Sequence, residues 1–345
     1  MRVLIIGGTG LIMRRHKCSI HFFCFPSDRN LRVSFLVIIL TFFTMILTPS
    51  NLLVEGVEEM NPKKIIFETD MCTDVDDVGA LAMLHALADN REAEILAISY
   101  NEVHPSGAGT ISAINTWYNR GDIPIGIYKG DLADPDESSY LESIAANFPH
   151  DLTTTPTPSS LELYLQVLSE QPDNSVTIIS VGFLNNLYDL LKADPNLVAQ
   201  KVTELVVMAE VVDDPYNTVR HDQVDKSEYV IRNWPTSVII SQHGETVHTG
   251  VRLAETAAEN PVREAYYRRF NGQYEGRSSW DQIAVLYGVR GLSDYFTEVT
   301  DGKGRLSNGY AWEMKPEFRS YLEVRVSDSE FVRIIEDLMI KPPKR

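Results

Sequence analysis

The segment that decides the fold runs from Lys63 to Ala88 and reads KKIIFETDMCTDVDDVGALAMLHALA. Its first part, Lys63–Asp70, is a short apolar run that ends in acids, which predicts a buried strand. Its last part, Asp77–Ala88, carries apolar residues such as Val78 and Leu81 at helical spacing, which predicts a helix. A strand that leads directly into a helix is typical of the units from which parallel sheets are built.

The chain beyond this segment repeats the same alternation of strands and helices. Further strands are predicted at Ala93–Tyr100, Ile123–Tyr128, Ser175–Val181, Glu204–Met208 and Ser237–Ser241. Further helices are predicted at Ile111–Tyr118, Leu161–Glu170 and Leu187–Ala193. Strands that are apolar on both faces indicate a sheet covered by helices on both sides. The sequence therefore predicts an α/β fold, a mostly parallel, Rossmann-like open sheet, in one domain over residues 61–345 with a C-terminal extension.

Five carboxylates lie in the ten residues from Glu68 to Asp77, where the first strand passes into its helix. A solvated turn with acids at a helix N-terminus is one interpretation, since such acids are favourable there. The other is a cation site, because Asp70, Asp76 and Asp77 can converge if the chain turns back between them. Oxygen ligands alone select Ca²⁺ or Mg²⁺. Because ligands bind outside the carboxyl ends of parallel strands, the position of the acids favours the cation site.

Two other acidic motifs do not fit this segment. An EF-hand loop starting at Asp74 has Gly79 correctly at its sixth position, but His85 stands at the twelfth, where a bidentate Glu is needed. A phosphotransferase with an aspartyl nucleophile needs a second carboxylate two residues after the first, and Cys72 is there instead.

Charge and cysteine content exclude further classes. The 345 residues carry a formal net charge of −17, which argues against nucleic-acid binding because phosphates are repelled. Of the three cysteines, Cys18, Cys24 and Cys72, only the last falls within the predicted domain, so no disulfide framework is expected there.

The N-terminal 50 residues contain two separate features. Val33–Leu47 is a 15-residue apolar run with Arg29 and Arg32 before it and Pro49 after it. Its length is typical of a signal-peptide core, with an uncleaved membrane anchor as the alternative, so residues 29–50 predict export or anchoring at a membrane. Upstream, Gly7, Gly8 and Gly10 resemble a dinucleotide-binding fingerprint that has Met13 in place of its third glycine. We interpret residues 1–28 as a mis-assigned start or a fused fragment.

The acidic segment resembles the signature of inosine-uridine-preferring nucleoside hydrolases, in which a strand runs into D-T-D-P-G-x-D-D and then an apolar helix. Further landmarks of that family follow in order up to about Gly291: Asn101, DIPI at 122–125, VGFLNN at 181–186, VMA at 207–209, PYN at 215–217 and WDQIAV at 280–285. The resemblance implies the nucleoside hydrolase fold, a nucleoside substrate and Ca²⁺-dependent hydrolysis of its ribosyl N-glycosidic bond.

The resemblance also implies a role for individual residues. The protein ligands of the metal would be Asp70, Asp77, the main-chain carbonyl of Val181 and Asp281, with Asp70 also the catalytic base. The ribose would be held by Asp76, Asn101, Met208 and Asn217. These roles suit the chemistry, since cleavage of the bond builds positive charge on the sugar, which carboxylates stabilise.

The sequence departs from the family pattern at several points. Asp74 is an extra acid in a loop two residues longer than usual, so which acid binds the metal stays open. Met71-Cys72 replaces the usual Pro-Gly, and Pro215 replaces a Glu. Trp280 stands where many members have a His that protonates the leaving base. It resembles the purine-preferring branch, in which a Trp stacks on the base; a core aromatic is the alternative. Remaining candidates for the proton donor are His104, His221 and His243.

Two further functions stay open at this point. One is metal-dependent hydrolysis of another glycoside on the same fold. The other is a non-catalytic, exported protein that binds a sugar or nucleoside through Ca²⁺. Assembly into a homo-oligomer also stays open.

Overall fold

A computed structural model describes residues 61–152 and 156–344, which belong to one compact unit. The predictions for residues 1–28 and 29–50 lie outside the described residues. No helix in the described part of the chain is long and apolar enough to span a membrane.

Eight strands form the central sheet, in the order β3-β2-β1-β4-β5-β6-β12-β9. All neighbours are parallel except β12 and β9. The strands are β1 (Lys63–Thr69), β2 (Ala93–Tyr100), β3 (Ile125–Ile127), β4 (Val176–Ser180), β5 (Val202–Met208), β6 (Ser237–Ser241), β9 (Phe296–Val299) and β12 (Arg319–Val324). Two small antiparallel pairs lie outside it: β7 (His248–Thr249) with β8 (Arg277–Ser278), and β10 (Lys303–Arg305) with β11 (Ala311–Glu313).

The described residues also form ten α-helices. They are α1 (Asp76–Asp89), α2 (Gly107–Trp117), α3 (Leu141–Asn147), α4 (Ser160–Ser169), α5 (Asn185–Ala193), α6 (Pro195–Lys201), α7 (Val224–Asn233), α8 (Pro261–Arg269), α9 (Trp280–Arg290) and α10 (Asp328–Met339). Short 3₁₀ helices lie at Arg220–Asp222 and Val251–Glu255.

Helices cover both faces of the sheet because side chains alternate along each strand. On β1, Ile65 and Phe67 pack on the face covered by α1, α9 and α10, whereas Ile66 packs on the face covered by α4, α5 and α7. Each face has its own apolar core. The predicted α/β fold with helices on both sides is confirmed.

The structure differs from the prediction at both margins of the sheet. The strand expected at Ile123–Tyr128 is only three residues long. The C-terminal residues, expected as an extension, contribute to the central sheet: β12 pairs with β6, and α10 packs against α1. Arg319 of β12 is buried, and its guanidinium donates to the carbonyls of Ile231 (2.7 Å) and Trp234 (3.0 Å).

The strand order positions the site. From β1 the chain adds β2 and β3 on one side and then β4, β5 and β6 on the other, so the strand order switches between β1 and β4. In open α/β sheets, ligands bind outside the carboxyl ends of the strands at such a switch point. Asp70 follows the end of β1 and Val181 follows the end of β4.

Candidate active site

A cavity of about 540 Å³ opens at the carboxyl ends of β1, β4 and β5. Eight of the nine site residues expected from the sequence line it: Asp70, Asp76, Asp77, Val181, Met208, Asn217, Trp280 and Asp281. The structure therefore brings Asp281 to the same cavity as acids some 200 residues earlier.

The acids reach the cavity from two helix N-termini. Asp76 and Asp77 lie in the first turn of α1, and Asp281 lies in the first turn of α9, which packs against α1. Helix N-termini carry partial positive charge, which favours carboxylates there. The Thr69 hydroxyl donates a hydrogen bond to Asp77 Oδ1. Asp76, Asp77 and Asp281 are each 2% exposed, so the helices hold almost fully buried carboxylates beside one another.

The surroundings of these acids make their ionised forms costly. Burial, and then repulsion by Asp74, holds the pKa of Asp70 and of Asp76 well above the usual value. The pKa of Asp77 is raised by burial and then by Asp70, and that of Asp281 by burial and then by Asp76. Each carboxylate thus lies within electrostatic reach of the others.

The donor set fits a hard divalent cation. Asp281 Oδ1 is buried without a hydrogen-bond partner among the described residues. Oxygens of Asp74, Asp76 and Asp77 lie within 4.8 Å of one another. Buried, mutually repelling carboxylates with an unpaired oxygen are the arrangement that an oxygen-ligated cation such as Ca²⁺ or Mg²⁺ would stabilise.

The Asn217 side chain joins the ends of two strands at the cavity wall. Its amide nitrogen donates to the carbonyl oxygen of Val181 (2.7 Å) and to that of Met208 (3.1 Å). This fixes the orientation of the Val181 carbonyl, the predicted main-chain ligand, on the cavity wall.

Asn101 is the predicted site residue that does not line the cavity. It is fully buried, and its amide nitrogen donates to the carbonyl of Phe183 (2.7 Å) and to Asn185 Oδ1 (3.1 Å). Its own Oδ1 has no partner among the described residues. A Cβ on Gly182 would lie 2.4 Å from that oxygen and 2.6 Å from the backbone nitrogen of Asp70, so only glycine fits at this position. The predicted contact of Asn101 with ribose stays a prediction.

Three arginines of the cavity wall were not expected from the sequence. Arg277 contacts Asp74 (2.6 Å) and Asp76 (3.3 Å), and Arg220 pairs with Asp136. Arg269 also lines the cavity. Arg220 and Arg277 lie outside the α-helices and central strands, where the sequence has no hydrophobic periodicity. Their proximity to the acids of the cavity is therefore seen only in the folded chain. They compensate part of the acidic charge.

Two aromatic rings stand at the cavity. The ring centroids of Trp280 and Tyr216 are 6.5 Å apart, and both residues line the cavity. Tyr216 is 55% exposed, and the Arg277 guanidinium lies 5.2 Å from the Trp280 ring. Trp280 is only half-buried and therefore is not a purely core aromatic.

No histidine is among the described residues that line this cavity. His104 Nδ1 accepts from the Ser106 backbone (3.2 Å), His243 contacts Asp328 (2.9 Å) and His221 contacts the Ala133 carbonyl (2.7 Å). A second, larger cavity of about 910 Å³ lies between α2, α8 and the C-terminal residues, and none of the predicted site residues lines it.

Comparison with known proteins shows the fold. No family model matches the chain, and no curated protein matches it in sequence. Among solved structures, an inosine-guanosine nucleoside hydrolase superposes with a TM-score of 0.61 at 16% identity, covering 80% of this chain and 98% of that one. An inosine-uridine preferring nucleoside hydrolase from Bacillus anthracis gives 0.60 at 15% identity, with 80% and 99% covered.

A third structure, a purine-preferring ribonucleoside hydrolase from Gardnerella vaginalis, gives a TM-score of 0.59 at 16% identity, with 80% and 98% covered. The chain therefore has the nucleoside hydrolase fold. The resemblance drawn from the acidic segment is confirmed at the level of fold.

Proposed function

We propose that this protein hydrolyses the N-glycosidic bond of ribonucleosides in a Ca²⁺-dependent reaction, with a preference for purine bases. One observation carries the proposal: Asp70 at the end of β1 and the buried aspartates at the starts of α1 and α9 line one cavity whose wall also presents aromatic rings. The nucleoside hydrolase fold supports it.

The residues that would hold Ca²⁺ are Asp70, Asp77, Asp281 and, through its carbonyl, Val181. A bound Ca²⁺ supplies positive charge that offsets the clustered carboxylates, holds sugar hydroxyls and makes nearby water more acidic. Oδ1 of Asp281, which has no hydrogen-bond partner among the described residues, is an acceptor that such an ion would satisfy.

The protein's own groups divide the remaining work. Asp70 is partly exposed at the end of β1, where it can take the proton of the attacking water. Asp76, Met208 and Asn217 line the wall where the ribose would lie. As the bond to the base breaks, positive charge grows on the sugar, and the surrounding carboxylates stabilise it.

The aromatic pair suits the base. Trp280 and Tyr216 offer ring faces beside the acids, and stacking on a purine ring contributes on the order of 1–3 kcal/mol. Purines have the larger ring system to stack, which is the physical basis of the proposed preference.

A non-catalytic, Ca²⁺-dependent nucleoside-binding protein is the second candidate. It is favoured by the absence of histidine from the described lining of the cavity, because no imidazole is placed to protonate the departing base. In the hydrolase proposal the leaving base takes its proton from solvent or from a carboxyl group.

A substrate panel tests the proposal. Release of free ribose is measured with inosine, guanosine, uridine and a nitrophenyl riboside in the presence of Ca²⁺, with Asp70→Asn as the inactive control. Faster turnover of inosine and guanosine is expected. Binding of inosine by calorimetry without any ribose release would establish the binding protein, and turnover of the nitrophenyl riboside alone would point to another glycoside.

A further inference from the structure

Glu102, Asp136 and His221 form a second cluster of potential metal ligands, separate from the acids that would bind Ca²⁺. Glu102 follows β2, Asp136 lies in the loop between β3 and α3, and His221 lies in the 3₁₀ helix after β5. One ligand atom from each lies within 4.8 Å of the other two. Three loops at the carboxyl edge of the sheet therefore meet at one point.

The His221 ring is fixed with one nitrogen directed into this cluster. Its side chain is 4% exposed, and Nδ1 contacts the Ala133 carbonyl oxygen at 2.7 Å. Because a carbonyl only accepts, Nδ1 carries the hydrogen, and in the neutral ring Nε2 has the lone pair. Nε2 is buried and has no hydrogen-bond partner among the described residues.

The two carboxylates are held so that they face this nitrogen. Glu102 accepts hydrogen bonds from the backbone nitrogens of Asp136 (2.6 Å) and Val103 (2.8 Å). Asp136 Oδ2 is bonded by Thr73 and Arg220, while Asp136 Oδ1 lies 3.8 Å from His221 Nε2. The Nε2 lone pair therefore faces two carboxylates, of which Glu102 is buried and Asp136 is partly exposed.

The spacing of the three groups leaves room for a cation between them. Asp136 Oδ1 lies 3.8 Å from His221 Nε2, which is beyond hydrogen-bonding range. An ion at the centre of three atoms no more than 4.8 Å apart lies within about 2.8 Å of each. An inward movement of at most about 0.8 Å by each ligand atom brings it to the roughly 2.0–2.2 Å of zinc bonds to nitrogen and oxygen.

We propose that Glu102, Asp136 and His221 bind a divalent zinc ion, distinct from the Ca²⁺ of the proposed reaction. One imidazole nitrogen and two carboxylates form a donor set that suits Zn²⁺ better than Ca²⁺, which takes oxygen ligands. The second imidazole nitrogen is hydrogen-bonded to a carbonyl, as is usual for ligating histidines.

The ion would tie together three loops beside the cavity. Asp136 and its partner Arg220 line that cavity, so the ion would hold this part of the wall in place. An ion that binds only the folded chain raises its stability with concentration. The effect does not depend on which reaction the cavity performs.

Calorimetric titration of the full chain with zinc chloride, in saturating Ca²⁺, tests the site. His16, Cys18, His21 and Cys24 can also bind zinc, so the readout is a difference of one equivalent between variants. His221→Asn is the test variant, since Asn tolerates the left-handed backbone at this position (φ 53°). His243→Asn, at the histidine paired with Asp328, is the matched control.

His221→Asn is expected to bind one equivalent less, or that equivalent about a hundredfold more weakly, than the wild type and His243→Asn. Zinc should also raise the melting temperature of the wild type and the control more than that of His221→Asn. If His221→Asn does not fold, Glu102→Gln must show the same loss. Equal zinc stoichiometry and affinity in the wild type and the folded test variant would overturn the proposal.

Discussion

Glu68 and Asp77 are buried carboxyl groups of the same strand–helix segment, but their neighbours differ. Glu68, on β1, is fully buried and accepts hydrogen bonds from the hydroxyls of Ser180 (2.9 Å) and Ser99 (3.3 Å). Burial raises its pKa to about 8. Asp77, at the start of α1, is almost as buried, but its surroundings include Asp70, Asp74 and Asp76.

The difference shows which buried acid needs a cation. Near neutral pH Glu68 is mostly protonated, and a neutral carboxyl group with hydroxyl partners costs little to bury. The Asp cluster combines several acids that repel one another, and Asp281 Oδ1 has no hydrogen-bond partner in the described part of the chain. A bound cation would offset the repulsion among these aspartates, whereas the neutral Glu68 needs no positive charge beside it.

Asp77→Asn should give the largest effect. The variant keeps the shape of the side chain but removes one charge from the cluster, so Ca²⁺ affinity and inosine turnover should fall together. We expect turnover to fall by about 10²–10³-fold, as when one electrostatic stabiliser is removed from an active site. Calorimetry and a ribose-release assay measure the two quantities, and an unchanged Ca²⁺ affinity would remove Asp77 from the ligand set.

Trp280→Ala should separate the base from the metal. Loss of a stacked ring should lower kcat/KM for purine nucleosides by roughly ten- to a hundredfold, while Ca²⁺ affinity stays unchanged. Uridine should lose less than inosine. An equal fall in kcat/KM for all substrates, with a large fall in melting temperature, would instead show that Trp280 packs in the core.

Glu68→Gln is the matched counterpart of Asp77→Asn. At a pH below about 8 it replaces one neutral group with another, so Ca²⁺ affinity and turnover should stay within about twofold of the wild type. A loss of Ca²⁺ binding as large as that of Asp77→Asn would break the distinction between the two buried groups.

Removal of residues 1–50 should have the smallest effect. We propose that residues 29–50 direct export or anchoring, and the described core begins at β1. The shortened chain should therefore keep the melting temperature and Ca²⁺ affinity of the full chain. Aggregation that is reversed by restoring the segment would show that the apolar run contributes to the fold.

Much of the fold follows from local patterns in the sequence. The run from Lys63 to Ala88 predicts both β1 and α1, because apolar periodicity and a strand-to-helix transition are local properties. The C-terminal residues were not placed in the sheet, since insertion of β12 beside β6 depends on pairing between distant segments. Burial of Arg319 likewise depends on carbonyls of another segment, Ile231 and Trp234.

The site follows from the sequence only in part. Position after the first strand predicts that Asp70, Asp76 and Asp77 lie at the ligand-binding edge of the sheet, whereas Asp281 is expected there only from the resemblance to nucleoside hydrolases. The pairing of Arg277 with Asp74 leaves no such trace, since it joins residues about 200 positions apart. Asn101 bonds inward to Phe183 and Asn185, an orientation that a strand-end position alone does not fix.

The central claim is that the buried aspartates form a Ca²⁺ site on which nucleoside hydrolysis depends. Its most direct test is the initial rate of ribose release from inosine, measured on the chelator-treated full chain as free Ca²⁺ is raised, beside calorimetric binding of Ca²⁺ to the same sample. We predict negligible turnover without Ca²⁺ and recovery along the same saturation curve as the binding of one ion. Full turnover in the presence of chelator, or a bound Ca²⁺ with no turnover of any nucleoside, would contradict the claim.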